Sequence, residues 1–555
     1  MPKHKLLSCA LLAFSHCAFA QQIPSAGSQL QQIPPSPIPP KSLPQVDLGR
    51  TEAPAQVPSD DARMRVNRLS ITGAQAYPEA DLLALTGFQP GREMSLAALR
   101  DMASKIADFY HRNGYFVAQA YLPAQDIQEG GVTIAVLEGQ YGQVKLNNSS
   151  GVSDGLAATL VSGLNPGDAI TYAPLENRLL LLSDLPGVEV KSTLTPGASV
   201  GTSDLVVDLT PGRAVTGSID ADNAGNRYTG AYRVGATVNL NNLSGQGDVA
   251  TLRVLTSGHG LSYARASYQM QFGKAKAGVA YSGLRYALGR EFESLGAHGT
   301  ARVASVYGSY PLIRSRSDNL YAQLVYDHKT FHDKLDTTAS RSDKTARVLT
   351  ASVYGDHRDT LGGGGLTAYS LGWTTGQLNL KTTAVQSFDA LTARSNGRYN
   401  KLGFSASRLQ SVTDAFSLYA SLNGQVASKN LDVSEKMELG GLYGVRAYPE
   451  GEAYADQGYV LTLEARMALP PLPARIPGSL QLVGFVDTGS VTFNRTPWTV
   501  GPDRRTLSGA GLGVTWTEPN NFAVRAYYAR KLGSTAATSA PDASGRFWVQ
   551  AVKYF

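Results

Sequence analysis

The 555-residue chain has only two cysteines, Cys9 and Cys17. Both fall in residues 1–20, which read as a secretory signal: Lys3 and Lys5 make the positive start, Leu6 to Ala13 most of an apolar middle, and Ala18-Phe19-Ala20 a small-residue cleavage site. A lipoprotein site at Leu6-Leu7-Ser8-Cys9 has too little apolar chain before it. The exported chain would hold no thiol, so in an oxidising compartment its stability must come from pairing and packing. Long apolar runs are missing as well: no later segment reaches the roughly 18 residues that a spanning helix needs. A membrane form of this chain would therefore be a closed β-barrel, in which every backbone polar group finds a partner. Charge is sparse at 17%, and the net +6 falls by two when Lys3 and Lys5 leave. Without a dense basic run, nucleic acid is not an expected partner.

Catalytic motifs are also wanting. Asp359-Thr360-Leu361 followed by four glycines lacks the G-K-[ST] ending of a phosphate loop. His328 and His332 have the i, i+4 spacing of zinc ligands on a helix, but Lys329 stands where a metalloprotease needs glutamate, and Tyr326 and Phe331 belong to a strand-and-loop pattern. Gly197-Ala198-Ser199-Val200-Gly201 has nucleophile-elbow spacing with a strand after it instead of a helix, so it reads as a hairpin turn. No enzyme, metal or cofactor is expected.

Glycine is abundant at 57 residues, and tyrosine (27) outnumbers phenylalanine (16). With a near-neutral mean hydropathy, that balance suits an outer-membrane barrel better than a helical membrane protein. Gln21 to Asp60 is low in complexity around Pro34 to Pro40, an extended tether in which only Ser25 to Ile33 is a candidate helix. From Arg65 the pattern is β-α-α-β-β. Leu69 and Ile71 mark a strand, and Ser95 caps a helix with Leu96, Leu99, Met102, Ile106 and Phe109 on one face. Strands at Tyr115–Leu122 and around Val132, Ile134 and Val136 follow. From Tyr141 the order repeats: a strand to Leu146, helices near 155–164 and 174–185, and strands at 188–194 and 205–209. Alternating segments then run from Arg213 to the end, among them Leu320–Tyr326, Leu512–Trp516 and Phe522–Tyr528. Roughly 340 residues, at about 10 per strand plus turns and longer external loops, allow about 16 strands.

One stretch organises the rest. Gly440–Gly458 is a Gly-rich loop that sets Arg446 among tyrosines and acids. After it Tyr459, Leu461, Leu463, Ala465, Met467 and Leu469 alternate with Val460, Thr462, Glu464 and Arg466, as in a strand between lipid and water. The next strand puts Phe485 and Asp487 opposite Leu480, Leu482 and Val486. A charge taken from bulk water must be paired, and the arginine fork can hold a carboxylate by two bonds. Two readings fit these residues: Arg446 docking on Asp487 inside a barrel, or a solvated arginine on an external loop with an aspartate in a turn.

Val445-Arg446-Ala447-Tyr448 resembles the VRGY/F loop signature of the superfamily that joins two-partner secretion transporters to barrel-assembly proteins. Phe485-Val486-Asp487-Thr488-Gly489 resembles the F-x-D-x-G strand motif that receives its arginine. The run from Val445 to Gly458, with Gly451, Glu452 and Asp456, is similar to the haemolysin and filamentous-adhesin transporters, the TpsB branch. Ala447 departs from the usual glycine and makes the tip less free to take positive φ. Asn113 to Val144 resembles the first POTRA module of that branch, Thr216 to Gly230 its first barrel hairpin, and terminal Phe555 the recognition signal of outer-membrane barrels, with Lys553 interrupting the apolar alternation.

The resemblance implies a membrane all-β fold: a signal (1–20), a Pro-rich linker with a possible plug helix (21–64), α+β POTRA modules at 65–140 and 141–211, and a barrel at 212–555 containing the loop 440–458. It implies an outer-membrane protein that secretes a TpsA-like exoprotein of adhesin or haemolysin type and clasps Arg446 on Asp487. Outer-membrane lipid and the barrel-assembly machinery would be its other partners, and a monomer its state. POTRA sheet edges would capture the unfolded partner by strand addition, or serve as spacers. The alternative is a BamA-type assembly factor, which the resemblance gives more POTRA modules. A passive porin needs none.

Overall fold

The computed structural model describes residues 23–38, 46–48, 63–473 and 475–555. The signal reading, with both cysteines, lies outside them, as does most of the linker. The described residues form two compact units, one of 46–48, 63–214 and 244–247, the other of 23–38, 215–243, 248–473 and 475–555.

The first unit holds two α+β lobes. In the first, Arg68–Thr72 pairs parallel with Gly131–Leu137, which pairs antiparallel with Gln119–Tyr121. Helix Leu96–Arg112 lies against this sheet. The Ser95 hydroxyl accepts from the Ala98 N–H at 3.2 Å, and Leu99, Met102, Ala103, Ile106 and Tyr110 face the core beside Leu69, Ile71, Val132 and Ile134. The strand expected from Tyr115 starts only at Gln119. The Tyr115 N–H instead closes the helix end on the Tyr110 carbonyl, and its ring meets that of Tyr110 edge-on at 5.5 Å.

In the second lobe Gln140–Asn148, Thr202–Pro211 and Val188–Pro196 make a sheet covered by helices Asp154–Val161 and Tyr172–Ser183. Its Val188–Pro196 edge is not open: linker residues Val46–Leu48 pair with it in parallel. Gly197 to Gly201 is the hairpin turn between the last two strands.

The second unit is a closed antiparallel barrel of 16 strands. They are β1 (Val215–Asp222), β2 (Arg233–Asn241), β3 (Val249–Thr256), β4 (Leu261–Phe272), β5 (Ala275–Ala287), β6 (Ala297–Arg314), β7 (Asp318–Leu335) and β8 (Ser340–Asp359). The other half is β9 (Gly365–Leu380), β10 (Gly397–Ser411), β11 (Phe416–Ala427), β12 (Gln457–Ala468), β13 (Ser479–Thr492), β14 (Arg504–Glu518), β15 (Phe522–Lys531) and β16 (Gly545–Tyr554). β1 closes on β16 from Ser218–Tyr554 to Asp222–Gln550. Next to this seam, the Phe555 and Gly217 backbones exchange bonds of 3.0 and 3.1 Å, and a Cβ at Gly217 would strike the Phe555 ring. The hairpin expected within 216–230 returns later, at Arg233, because residues 223–232 fold inward as a loop with Thr229 buried.

Alternation sorts the barrel wall. Leu324, Tyr326, Leu349, Trp373, Leu463 and Leu512 point outward and are exposed, as lipid-facing residues must be. The opposite positions face a lumen that is far from empty. The loop 428–456 between β11 and β12 enters it, and so does helix Ala26–Gln31, at the place of the candidate linker helix.

Candidate functional site

The loop turns inward because its side chains find partners there. A short ladder, Met437–Glu438 with Tyr454–Ala455, closes its base. Val445, Ala447 and Tyr448 are wholly buried with Leu439, Val460, Val483 and Phe485. Ala447 does not adopt positive φ; its methyl sits where a Cβ on Gly509 of β14 would strike it. Gly489 of β13 leaves comparable room for Leu439.

Arg446 reaches the lumen face of β13. Its Nε–H and Nη2–H donate to Asp487 Oδ2 and Oδ1, both at 2.8 Å, and its backbone N–H donates to Oδ2 at 3.1 Å. Asp487 is 0% exposed and Arg446 5%, so this ion pair is formed out of bulk water. The Thr462 hydroxyl donates to Asp487 Oδ1 at 3.0 Å. Register explains the contact, since Thr462 of β12 pairs with Asp487, and Glu464 with Phe485. Glu464 supplies a second carboxylate, 2.8 Å from Arg446 Nη1, and is itself bonded to Arg466. The guanidinium lies 3.5 Å from the Phe485 ring centroid and 5.1 Å from that of Tyr527, and the Trp548 indole N–H donates to the Arg446 carbonyl at 2.7 Å. Two arginines and two acids thus form a neutral, satisfied cluster, the arrangement in which buried charge is tolerated.

The other motif residues anchor the loop around this pair. The Tyr448 hydroxyl donates to the Thr535 carbonyl at 3.0 Å, with Lys531 Nζ over its ring. Glu452, 0% exposed, accepts from Arg505, from Thr538 and from the Ser539 backbone and hydroxyl. Asp456 accepts from the Leu431 and Arg495 backbones and pairs with Lys436 at 3.1 Å. Gly451 takes φ of +80°, and its N–H donates to Glu438. Gly458 opens β12 where a Cβ would meet Val491. Phe555 stands apart at the seam.

The comparisons with known proteins bear on this constellation. The model of the haemolysin secretion/activation protein family ShlB/FhaC/HecB matches residues 201–516, and that of the ShlB-type POTRA domain residues 64–139. The chain belongs to the ShlB/FhaC/HecB family. The heme/hemopexin transporter protein HuxB of Haemophilus influenzae is 28% identical over 472 residues, covering 84% of this chain and 82% of the relative. The outer membrane transporter CdiB of Dickeya dadantii is 25% identical over 471 residues, covering 81% and 79%. The structure of CdiB from Escherichia coli has the same fold, with TM-score 0.66, 20% identity, and coverage of 91% and 93%. BamA from Haemophilus ducreyi is a more distant likeness in fold, with TM-score 0.54, 12% identity, and coverage of 89% and 100%. This family member is an outer-membrane transporter of the two-partner secretion type, and not an enzyme.

Several partners of the ShlB-family loop were not singled out in the sequence. Glu464 was visible there as a carboxylate on the water-facing side of its strand, but only the pairing of β12 with β13 sets it beside Arg446. Lys329 and Lys401 grip Glu435 at 2.7 and 3.0 Å, and Lys344 grips Asp432 at 2.8 Å, tying the start of the loop to the wall. No local sequence signal marks these long-range pairs. Against them lies the helix Ala26–Gln31. The Ala26 N–H donates to Asp333 at 2.7 Å, Thr229 donates to Gln29 at 2.8 Å, and Gln31 donates to the Val433 carbonyl at 2.9 Å. At its end Arg233 donates to the Gln32 carbonyl at 2.8 Å, and Gln32 donates to the Tyr454 hydroxyl at 2.5 Å. Two carboxyls lie beside Gln32 and Tyr454, Glu450 buried and Glu438 partly so. Burial, reinforced at Glu438 by its acidic neighbour, raises both above the ordinary range, Glu450 to about 7.

Proposed function

We propose that this transporter secretes one large exoprotein of adhesin or haemolysin type, and that the Arg446–Asp487 clasp holds the inward loop in its transport-competent seat. The partner's unfolded N-terminal region is taken up at POTRA sheet edges, in the second module (141–211) at the Gln140–Asn148 edge, since Val46–Leu48 already covers the other. The lumen passes the chain in extended form, and folding outside biases its transit. With no nucleotide at hand, burial of apolar surface beyond the pore helps supply direction. Similarity to a heme/hemopexin transporter adds a haem-scavenging exoprotein to the candidate cargoes. The protein acts as a monomer, inserted by the barrel-assembly machinery.

The observation that carries this reading is the buried, bidentate pair joining a lumen loop to the barrel wall. A pair so placed restrains the loop more than a solvated pair could, because breaking it strands a charge away from water. The test replaces Arg446 and, separately, Asp487 by alanine. Secretion of the partner should fall sharply while heat-modifiable gel mobility still reports an inserted barrel. Wild-type secretion by both variants would sink the clasp.

A further inference from the structure

The outer face of β5 to β10 carries a row of cationic and polar side chains above its apolar residues. His328 of β7 pairs in register with Arg347 of β8, Arg347 with Gln377 of β9, and Gln377 with Arg398 of β10. On the other side, His328 pairs with Ala304, two residues from Arg302 of β6, and Arg302 pairs with Gly283, two residues from Arg285 of β5. Their neighbours along the strands, Leu284, Val303, Ala346, Val348, Leu378 and Tyr399, are buried on the lumen side, so the row itself points outward. Arg285, Arg302, Arg347, Gln377 and Arg398 are exposed, and none of the four arginines forms an ion pair among the described residues.

The row has a defined height. On β5 to β9 the outward face turns apolar and exposed within two to four residues toward the short-turn end: Tyr281 and Val279, Val306, Tyr326 and Leu324, Leu349, Trp373 and Leu371. The barrel begins at Val215 and ends at Tyr554 on that end, which is the periplasmic side. The cations therefore stand at the extracellular rim of the lipid-facing band. At about 4.8 Å between strands the row extends roughly 24 Å around the barrel. The outward residues of β1 to β3, such as Ile219, Val234, Leu252 and Val254, form no matching cationic row.

We infer that this face binds a phosphorylated glycolipid of the outer leaflet, its phosphates on Arg285, Arg302, Arg347 and Arg398 and its acyl chains on the apolar residues below. Guanidinium forks suit phosphate oxygens, and four unpaired arginines in one belt leave a demand for anionic partners. The apolar surface directly beneath selects an amphipathic ligand over a free anion. Thr330 and Gln377, on the same face, offer bonds to sugar hydroxyls.

The test uses the full-length protein in neutral detergent, with native mass spectrometry against added bisphosphorylated lipid A, dephosphorylated lipid A and phosphatidylglycerol. The expected result is tight binding of the bisphosphorylated form, weakened at least about tenfold in an Arg302→Gln/Arg347→Gln variant. The matched variant Arg504→Gln/Arg530→Gln, which removes two outward arginines from the opposite wall, should bind almost as wild type. Equal loss in both variants, or no loss in the first, would overturn the inference. So would equal wild-type binding of dephosphorylated lipid A or phosphatidylglycerol, a readout that needs no variant to fold.

Discussion

Arg446 has two carboxylates within ion-pair distance, whereas Asp487 has one cation among the described residues. That asymmetry sets an order of effects. Arg446→Ala leaves Asp487 with only Thr462 and the loop backbone, and Glu464 with only Arg466. Removing one partner of a buried pair costs about 3–5 kcal/mol. Asp487→Ala leaves Arg446 on Glu464 and on the Phe485 ring, so its cost should be smaller. The temperature at which the folded gel band converts should fall further for Arg446→Ala than for Asp487→Ala. The reverse order would mean that Glu464 contributes little to holding the arginine.

The helix Ala26–Gln31 has six residues, too few to be stable alone, and it persists because the barrel and the loop bond to it. Its C-terminal end meets the Tyr454 hydroxyl beside the Glu438 and Glu450 carboxyls, which makes the contact sensitive to pH. An acid whose folded pKa is raised favours the folded contact when protonated. For Glu450 that contribution is complete below its ordinary value of 4.5 and lost as pH rises through about 7. Ion-conducting openings of the protein reconstituted in a planar bilayer should therefore become more frequent between pH 5 and pH 8. Glu450→Gln, which keeps a neutral group, should flatten that dependence. Openings that decrease with rising pH, or a dependence that survives in Glu450→Gln, would show that the carboxyl pair does not secure the helix.

At the scale of the molecule, a dedicated transporter and an assembly factor share a fold but differ in the breadth of their clients. A deletion strain profiled for culture supernatant and outer-membrane proteins together separates them. One large protein should vanish from the supernatant while the membrane profile holds. A general loss of outer-membrane barrels would identify an assembly factor and overturn the secretion reading. The likeness to BamA extends over the barrel fold at 12% identity, and at that level it speaks for the fold alone.

Period-two alternation and the lack of any long apolar run sufficed to read a barrel from the sequence, because each wall strand must show one face to lipid and the other to water. The same alternation put Thr462 and Glu464 on one side of β12 and Phe485 and Asp487 on one side of β13. Whether Arg446 met Asp487 was not legible in these residues alone. That depends on a loop folding back across the lumen, which is settled by the summed fit of Leu439, Val445, Ala447 and Tyr448 against Gly489, Gly509 and the inner wall. Nor could spacing reveal the grip of Lys329 and Lys401 on Glu435, or the row from Arg285 to Arg398. Residues far apart in the chain become neighbours there only through strand register and barrel closure. Local sequence determined which way each side chain faces. Tertiary structure decided which residues meet, because register and loop docking are cooperative properties of the whole closed sheet.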